Sequence, residues 1–168
     1  MEFIRQKVSE FSRILLTKRN SKGYWDGRLS SSALGVAVAV TALHFYDKNE
    51  NMLAIASGLN WLNQNINADG GFGDSPTSRS NVSTSLLCFA AVKVTSANHP
   101  NAELVGKLAG YLNSQNIDVS SDRLIQSILD FYQTDRTFSV PILTMCALRG
   151  VPGEEAFERI PQLPFLLS

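Results

Sequence analysis

Two segments of this chain are apolar around the whole helical circumference, and each follows a segment that is apolar along one stripe only. In residues 33–43, Ala33, Leu34, Val36, Ala37, Val38, Val40, Ala42 and Leu43 leave no polar face, and Leu86 through Val92 reads the same way. By contrast, Phe3, Ile4, Val8, Phe11 and Leu15 within residues 2–18 recur at helical spacing on one side, as do Met52, Leu53, Ile55, Ala56, Leu59 and Leu62. A helix without a polar face has to be covered on all sides, whereas a striped helix keeps one face in water. The alternation predicts a two-layer helical array, an outer layer packed on an inner one.

Further helices are expected over about 101–115 (Leu104, Val105, Leu108, Tyr111, Leu112), 121–133 and 138–149. Ser30 or Ser31 is placed to cap the first all-apolar helix. A short last turn is expected near Pro152, with Glu154 and Glu155 at its amino end, where the helix dipole favours acids. No stretch reads as a strand. The expected fold class is all-α, with about eight helices in one domain spanning residues 1–168.

The charge balance removes several function classes. Fifteen basic and fifteen acidic residues cancel, and no basic run exceeds Lys18-Arg19, so nothing matches a nucleic-acid backbone. The first residues mix charge with apolar side chains and lack the unbroken apolar core of an export signal, which predicts a cytoplasmic protein. Asn81-Val82-Ser83 fits a glycosylation sequon, which without export carries no meaning. The run Ala33 to Leu43 is far shorter than the roughly 20 residues that span a bilayer. Cys88 and Cys146 stand apart in apolar stretches, without the spacing of a metal site or disulfide framework, and read as small buried hydrophobes.

An internal match supports the array. Asn20-Ser21-Lys22-Gly23-Tyr24-Trp25-Asp26-Gly27 aligns with Asn67-Ala68-Asp69-Gly70-Gly71-Phe72-Gly73-Asp74, and each leads through a Ser-rich stretch into an all-apolar helix. A weaker third copy begins at Tyr111-Leu112-Asn113, parallel to Trp61-Leu62-Asn63, without the glycines or the following aromatic residue. The period of about 47 to 50 residues suits helical-pair repeats. Asp-Gly and Gly-Gly provide the positive backbone dihedrals of a sharp reversal, Phe72 can fold back on the preceding apolar stripe, and Gln64 can reach the backbone of a neighbouring helix.

Gly58-Leu59-Asn60-Trp61-Leu62-Asn63-Gln64, followed by Asp69-Gly70-Gly71-Phe72-Gly73-Asp74, resembles the glutamine-tryptophan repeat of squalene cyclases and of related prenyltransferase repeat proteins, with Phe72 where tryptophan is usual. Gly23 through Leu34 and Arg79-Ser80-Asn81-Val82-Ser83-Thr84 are similar to segments of bacterial squalene-hopene cyclase-like proteins. Asp135 through Leu143 and Ile160 through Phe165 are similar to the passage from the first helical barrel of such enzymes to the next part of the chain. The resemblance runs from about Leu16 to Phe165 and implies an α/α toroid, here a partial one, since a complete barrel of the family has about twelve helices.

The resemblance also sets an expectation for chemistry. Cyclases of this family protonate an alkene or epoxide with an acid in an Asp-X-Asp-Asp motif and guide carbocations with aromatic faces. That motif is absent; Asp69 with Asp74 and Asp118 with Asp122 have the wrong spacing. The zinc set of protein prenyltransferases is absent too, with His44 and His99 lacking partners in any motif, so neither a catalytic residue, a metal nor another cofactor is assigned. Trp25, Trp61 and Phe72, with Tyr24, are candidates to line a hydrocarbon cavity; the repeat favours their use as structural aromatics, alongside Gln64, Asp69, Gly70, Gly71 and Gly73. Asp26 and Asp74 read as turn residues, and Ser30, Ser31 and Ser32 as capping residues.

The leading expectation is an amino-terminal squalene cyclase-like domain in triterpenoid biosynthesis, inactive without an acid-bearing second domain or partner chain. The alternatives are a non-catalytic helical-repeat module that binds a partner protein or an isoprenoid lipid, and a piece of a longer cyclase. The family resemblance implies peripheral contact with the inner membrane face, and the apolar tail Pro164-Phe165-Leu166-Leu167-Ser168 reads as a contact for the second domain.

Overall fold

The computed structural model describes residues 1–27, 29–120, 123–148 and 156–161. These residues form two compact units, Met1–Ser30 and Ser31–Ser168. The first holds one helix, α1 (Glu2–Thr17), and the loop after it. The second holds α2 (Ala33–Asp47), α3 (Met52–Asn65), α4 (Val82–Thr95), α5 (Ala102–Ser114), α6 (Leu124–Tyr132), α7 (Arg136–Ala147) and a 3-10 turn at Ala156–Arg159. No strand occurs among the described residues, so the chain is all-α as the periodicity predicts.

Local chemistry sets most of the helix starts. Ser32, Asn81, Asn101 and Asp135 each place a side-chain oxygen on a free backbone N–H of the first turn: Gly35 at 3.3 Å, Thr84 at 2.9 Å, Leu104 at 3.3 Å and Thr137 at 2.9 Å. The cap of α2 is thus Ser32 rather than Ser30 or Ser31; three consecutive serines have equal capping propensity, and only the backbone decides among them. Asp135 starts α7 two residues before the expected position, because the cap precedes the first apolar residue, Phe138. Gln133, at φ 51°, closes α6. The expected turn around Pro152, Glu154 and Glu155 and the tail from Pro164 lie outside the described residues.

In the second unit, α4 packs between α2 and α7, while α3 packs on α2, α5 on α4 and α6 on α7. This is the inner-and-outer arrangement of an α/α toroid segment, with α2, α4 and α7 side by side and α3, α5 and α6 behind them. Leu86, Cys88, Phe89, Ala91 and Val92 of α4 are all buried, as its all-round apolar pattern requires. Helix α2 departs from expectation. Ala33, Ala37, Val40 and Thr41 are buried, but Leu34, Val38 and Phe45 are exposed, with Phe45 at 50%. An unbroken apolar pattern cannot distinguish a face packed on core from one that lines a groove, and α2 has both.

Cys88 and Cys146 are free and buried, the Cys88 thiol pointing at the Ala33 carbonyl. Burial raises both thiols, pushing Cys146 up to about 12 from an ordinary value of 9.0. Between those limits an unfolded chain releases a proton that the folded chain keeps, so stability is fully present below about pH 9 and falls as pH rises. We expect the unfolding free energy from urea denaturation to fall as pH rises from about 8.5 to 10.5, by at most about 1.4 kcal/mol per pH unit for each thiol. Cys146→Ala should flatten that slope, and an unchanged slope would contradict the assignment.

Candidate functional site

The repeat turn joins three elements of the second unit. Asn67 N–H donates to Gly71 O at 3.0 Å and Gly70 N–H to Asn67 O at 2.9 Å, with Gly70 at φ 82°. Asp69 Oδ1 accepts from Gly71 N–H at 3.0 Å and from the Ser80 hydroxyl at 2.7 Å. Phe72, 2% exposed, is pinned to the start of α4: its N–H donates to Ser85 Oγ at 2.9 Å, and its carbonyl accepts from Asn81 N–H at 2.9 Å. Asp74 Oδ1 accepts from Asn81 Nδ2 at 2.8 Å and from the Thr84 hydroxyl at 3.1 Å, which holds the capping residue of α4 in place. The turn also lies against α5, where Gly70 faces the Lys107 carbonyl and Gly71 the Tyr111 ring. Gln64 is exposed and takes no part in this network.

In the first unit the aligned loop has the same backbone. Asn20 N–H donates to Tyr24 O at 2.9 Å, Gly23 N–H to Asn20 O at 3.0 Å, and Gly23 has φ 90°. Asn20 thus matches Asn67, Gly23 matches Gly70 and Trp25 stands at the position of Phe72. The two aromatic residues have different surroundings. Trp25 is 52% exposed, and its indole N–H donates to Leu15 O at 2.6 Å. In the third copy Asn116, at φ 63°, ends α5 directly, so the glycine loop is not needed.

Trp25, Trp61 and Phe72 have different settings. Phe72 lies in the core, Trp61 is half-buried against it, and Trp25 belongs to the other unit. An apolar cavity of the second unit lies between α2 and α7 of the inner layer. One part, about 670 Å³, is lined by Leu34, Val82, Leu87, Phe131, Phe138 and Ile142, with Asp74, Asn81 and Ser83 at its polar margin. A second part, about 690 Å³, is lined by Val38, Ala42 and Phe45 of α2 and Val140, Met145 and Leu148 of α7. Pro141 lines both, so they form one groove between α2 and α7. Pro141 gives no N–H to the Thr137 carbonyl one turn back, so the helix is weakened where the two parts meet.

Sequence reasoning missed this groove. Its signal was present in the spacing of Leu34, Val38, Ala42 and Phe45, which fall on one stripe of α2. The second part contains no Lys, Arg, Asp or Glu, and each part falls in the size range of small-molecule sites. The Ser83 hydroxyl pairs with the Tyr132 hydroxyl, tying α4 to the end of α6. Burial raises the Tyr132 phenol against the opposing effect of that hydrogen bond. Among the described residues no three His, Cys, Asp or Glu side chains gather where they could hold a metal ion.

Glycine-aromatic turns that fasten paired helices, with an apolar groove on the inner layer, define a helical-repeat scaffold of the toroid class. Residues 8–107 match the squalene-hopene cyclase N-terminal domain, and the chain belongs to that family. No curated protein and no solved structure matches it. No helix among the described residues is long and apolar enough to cross a membrane.

Proposed function

We propose that the chain serves triterpenoid biosynthesis as a hydrocarbon-holding domain that does not itself start cyclisation. The groove between α2 and α7 carries this reading. A long isoprenoid has no hydrogen-bonding groups, and a charge-free wall of Val38, Phe45, Met145 and Leu148 is what it would displace water from.

Protonating an alkene requires a carboxylic acid held dry and aimed at the double bond. Asp74, at the margin of the groove, is exposed and already accepts from Asn81 and Thr84. It supports the cap of α4 and is not placed as a proton donor. The acid would come from a second cyclase domain or partner chain bearing Asp-X-Asp-Asp.

The test is incubation of the purified chain with squalene in detergent micelles, followed by repurification and mass spectrometry. We expect squalene to be retained unchanged, and Phe138→Asp, at an exposed groove position, to lower retention at least tenfold, since it puts a charge in an apolar site. Cyclic products from the chain alone would overturn the division of labour. Absence of retention would remove the hydrocarbon reading and leave the protein-binding module in its place.

A further inference from the structure

The groove between α2 and α7 has two unlike ends. Its part beside Val38, Phe45 and Met145 includes the Thr41 and Thr144 hydroxyls, but each donates to a carbonyl one turn back in its own helix, Ala37 O at 2.9 Å and Val140 O at 2.8 Å. That end offers a ligand no side-chain donor. The other part is polar along one margin. Asn81 is engaged there with Asp74 and with the Thr84 N–H, and Ser83 with the Tyr132 hydroxyl. Both hydrogen bonds to Asp74, from Asn81 and from the Thr84 hydroxyl, end on Oδ1. Among the described residues Asp74 Oδ2 therefore has no partner, and neither has the Thr137 hydroxyl in the first turn of α7, whose backbone N–H alone is bonded. Among those residues no Lys or Arg lines either part, so the charge at the margin is that of Asp74.

We propose, resting on the isoprenoid reading of the groove, that its occupant is a linear isoprenoid alcohol with its chain along α2 and α7 and its terminal hydroxyl at the Asp74 margin. Asp74 Oδ2 accepts from the O–H, and the Thr137 hydroxyl is free to donate to the same oxygen. A pure hydrocarbon lying there would strip water from the carboxylate and return nothing. An ether or epoxide oxygen only accepts, and it would meet another acceptor. A phosphate head would face a like charge with no cation to offset it. A single hydroxyl replaces the water that a hydrocarbon only removes.

The full chain is loaded in detergent micelles with farnesol, farnesyl methyl ether, farnesene, farnesyl monophosphate or farnesylamine. After repurification, retained ligand is measured against its partition into empty micelles. Farnesol is expected to be retained about fivefold better than the ether or more, the effect of one hydrogen bond to a charged acceptor at a partly wet site, and the monophosphate less than either. Asp74→Asn keeps an oxygen for Asn81 and Thr84 but puts an amide nitrogen where Oδ2 stood, so the ratio of farnesol to ether should fall to about one. Thr137→Val removes a donor that both oxygens can use, and should lower farnesol and the ether alike against farnesene, by about twofold or more. Equal retention of farnesol and the ether on the unmodified chain overturns the proposal, as does a preference that survives Asp74→Asn. So does a monophosphate or an amine retained tenfold better than farnesol, because the margin would then read charge. Farnesene held as well as farnesol removes the alcohol alone; if neither is held, the isoprenoid reading of the groove falls with it.

Discussion

Gly73→Ala is expected to lower stability by about 3 kcal/mol or more, a fall in thermal midpoint of roughly 6 to 12 °C. A Cβ at that position would stand 2.5 Å from Arg79 O, 2.6 Å from Ser78 O and 2.7 Å from Ser78 Cβ. Two of the three obstacles are backbone atoms, so no rotamer change relieves them. Gly70→Ala meets a related penalty from two sources: the left-handed conformation at φ 82° costs about 1–2 kcal/mol, and the Lys107 carbonyl lies 2.7 Å from the new Cβ. The same substitution in α5 should have the opposite sign. Gly106 and Gly110 have open space around the Cβ position and ordinary helical backbone, so alanine there should stabilise by up to about 1 kcal/mol. Differential scanning calorimetry of the four variants checks both signs. Similar small losses at all four positions would show that the turn is not a close-packed clamp.

Phe72→Ala should be costlier still, about 3–5 kcal/mol in urea denaturation, because a fully buried aromatic ring leaves a cavity that pinned neighbours cannot fill. The backbone of residue 72 is held by Ser85 and Asn81, and this prevents collapse into the space. Ser85→Ala should cost about 1–3 kcal/mol by leaving the Phe72 N–H buried without an acceptor. Phe72→Trp, which restores the residue usual in the repeat, should also destabilise, by about 1–3 kcal/mol through overpacking. None of the three should change squalene retention per folded molecule, since neither residue lines the groove. A selective loss of retention would make Phe72 a substrate contact instead.

Much of the fold was legible because helical periodicity reports packing directly. The stripe of Met52, Ile55, Leu59 and Leu62 and the all-round apolar pattern of α4 both describe the number of faces a helix buries, and α4 is buried accordingly. The repeat was legible too, since a glycine at a positive φ three residues after an asparagine is a backbone requirement, met at Gly23 and Gly70 alike. What hydropathy could not separate was core from groove. Leu34, Val38 and Phe45 are as apolar as Val40, and only the placement of α7 opposite them decides that they line a cavity. The polar clasp around Phe72 was hidden for another reason: Ser85 sits in the first turn of α4 beside Ser83 and Thr84, where its hydroxyl gives no periodic signal, yet it satisfies the N–H of a residue thirteen positions earlier. Among the aromatic candidates, position in the repeat was correctly matched, but burial was not readable, as the exposed Trp25 and the enclosed Phe72 demonstrate.

The most direct test is photo-crosslinking of the folded chain with a benzophenone-tagged isoprenoid, followed by peptide mapping. Adducts concentrated in residues 34–45 and 138–148, and displaced by excess squalene, are the predicted result. Adducts at Trp61 or Phe72, or labelling that follows exposure alone and ignores squalene, would contradict a hydrocarbon site between α2 and α7.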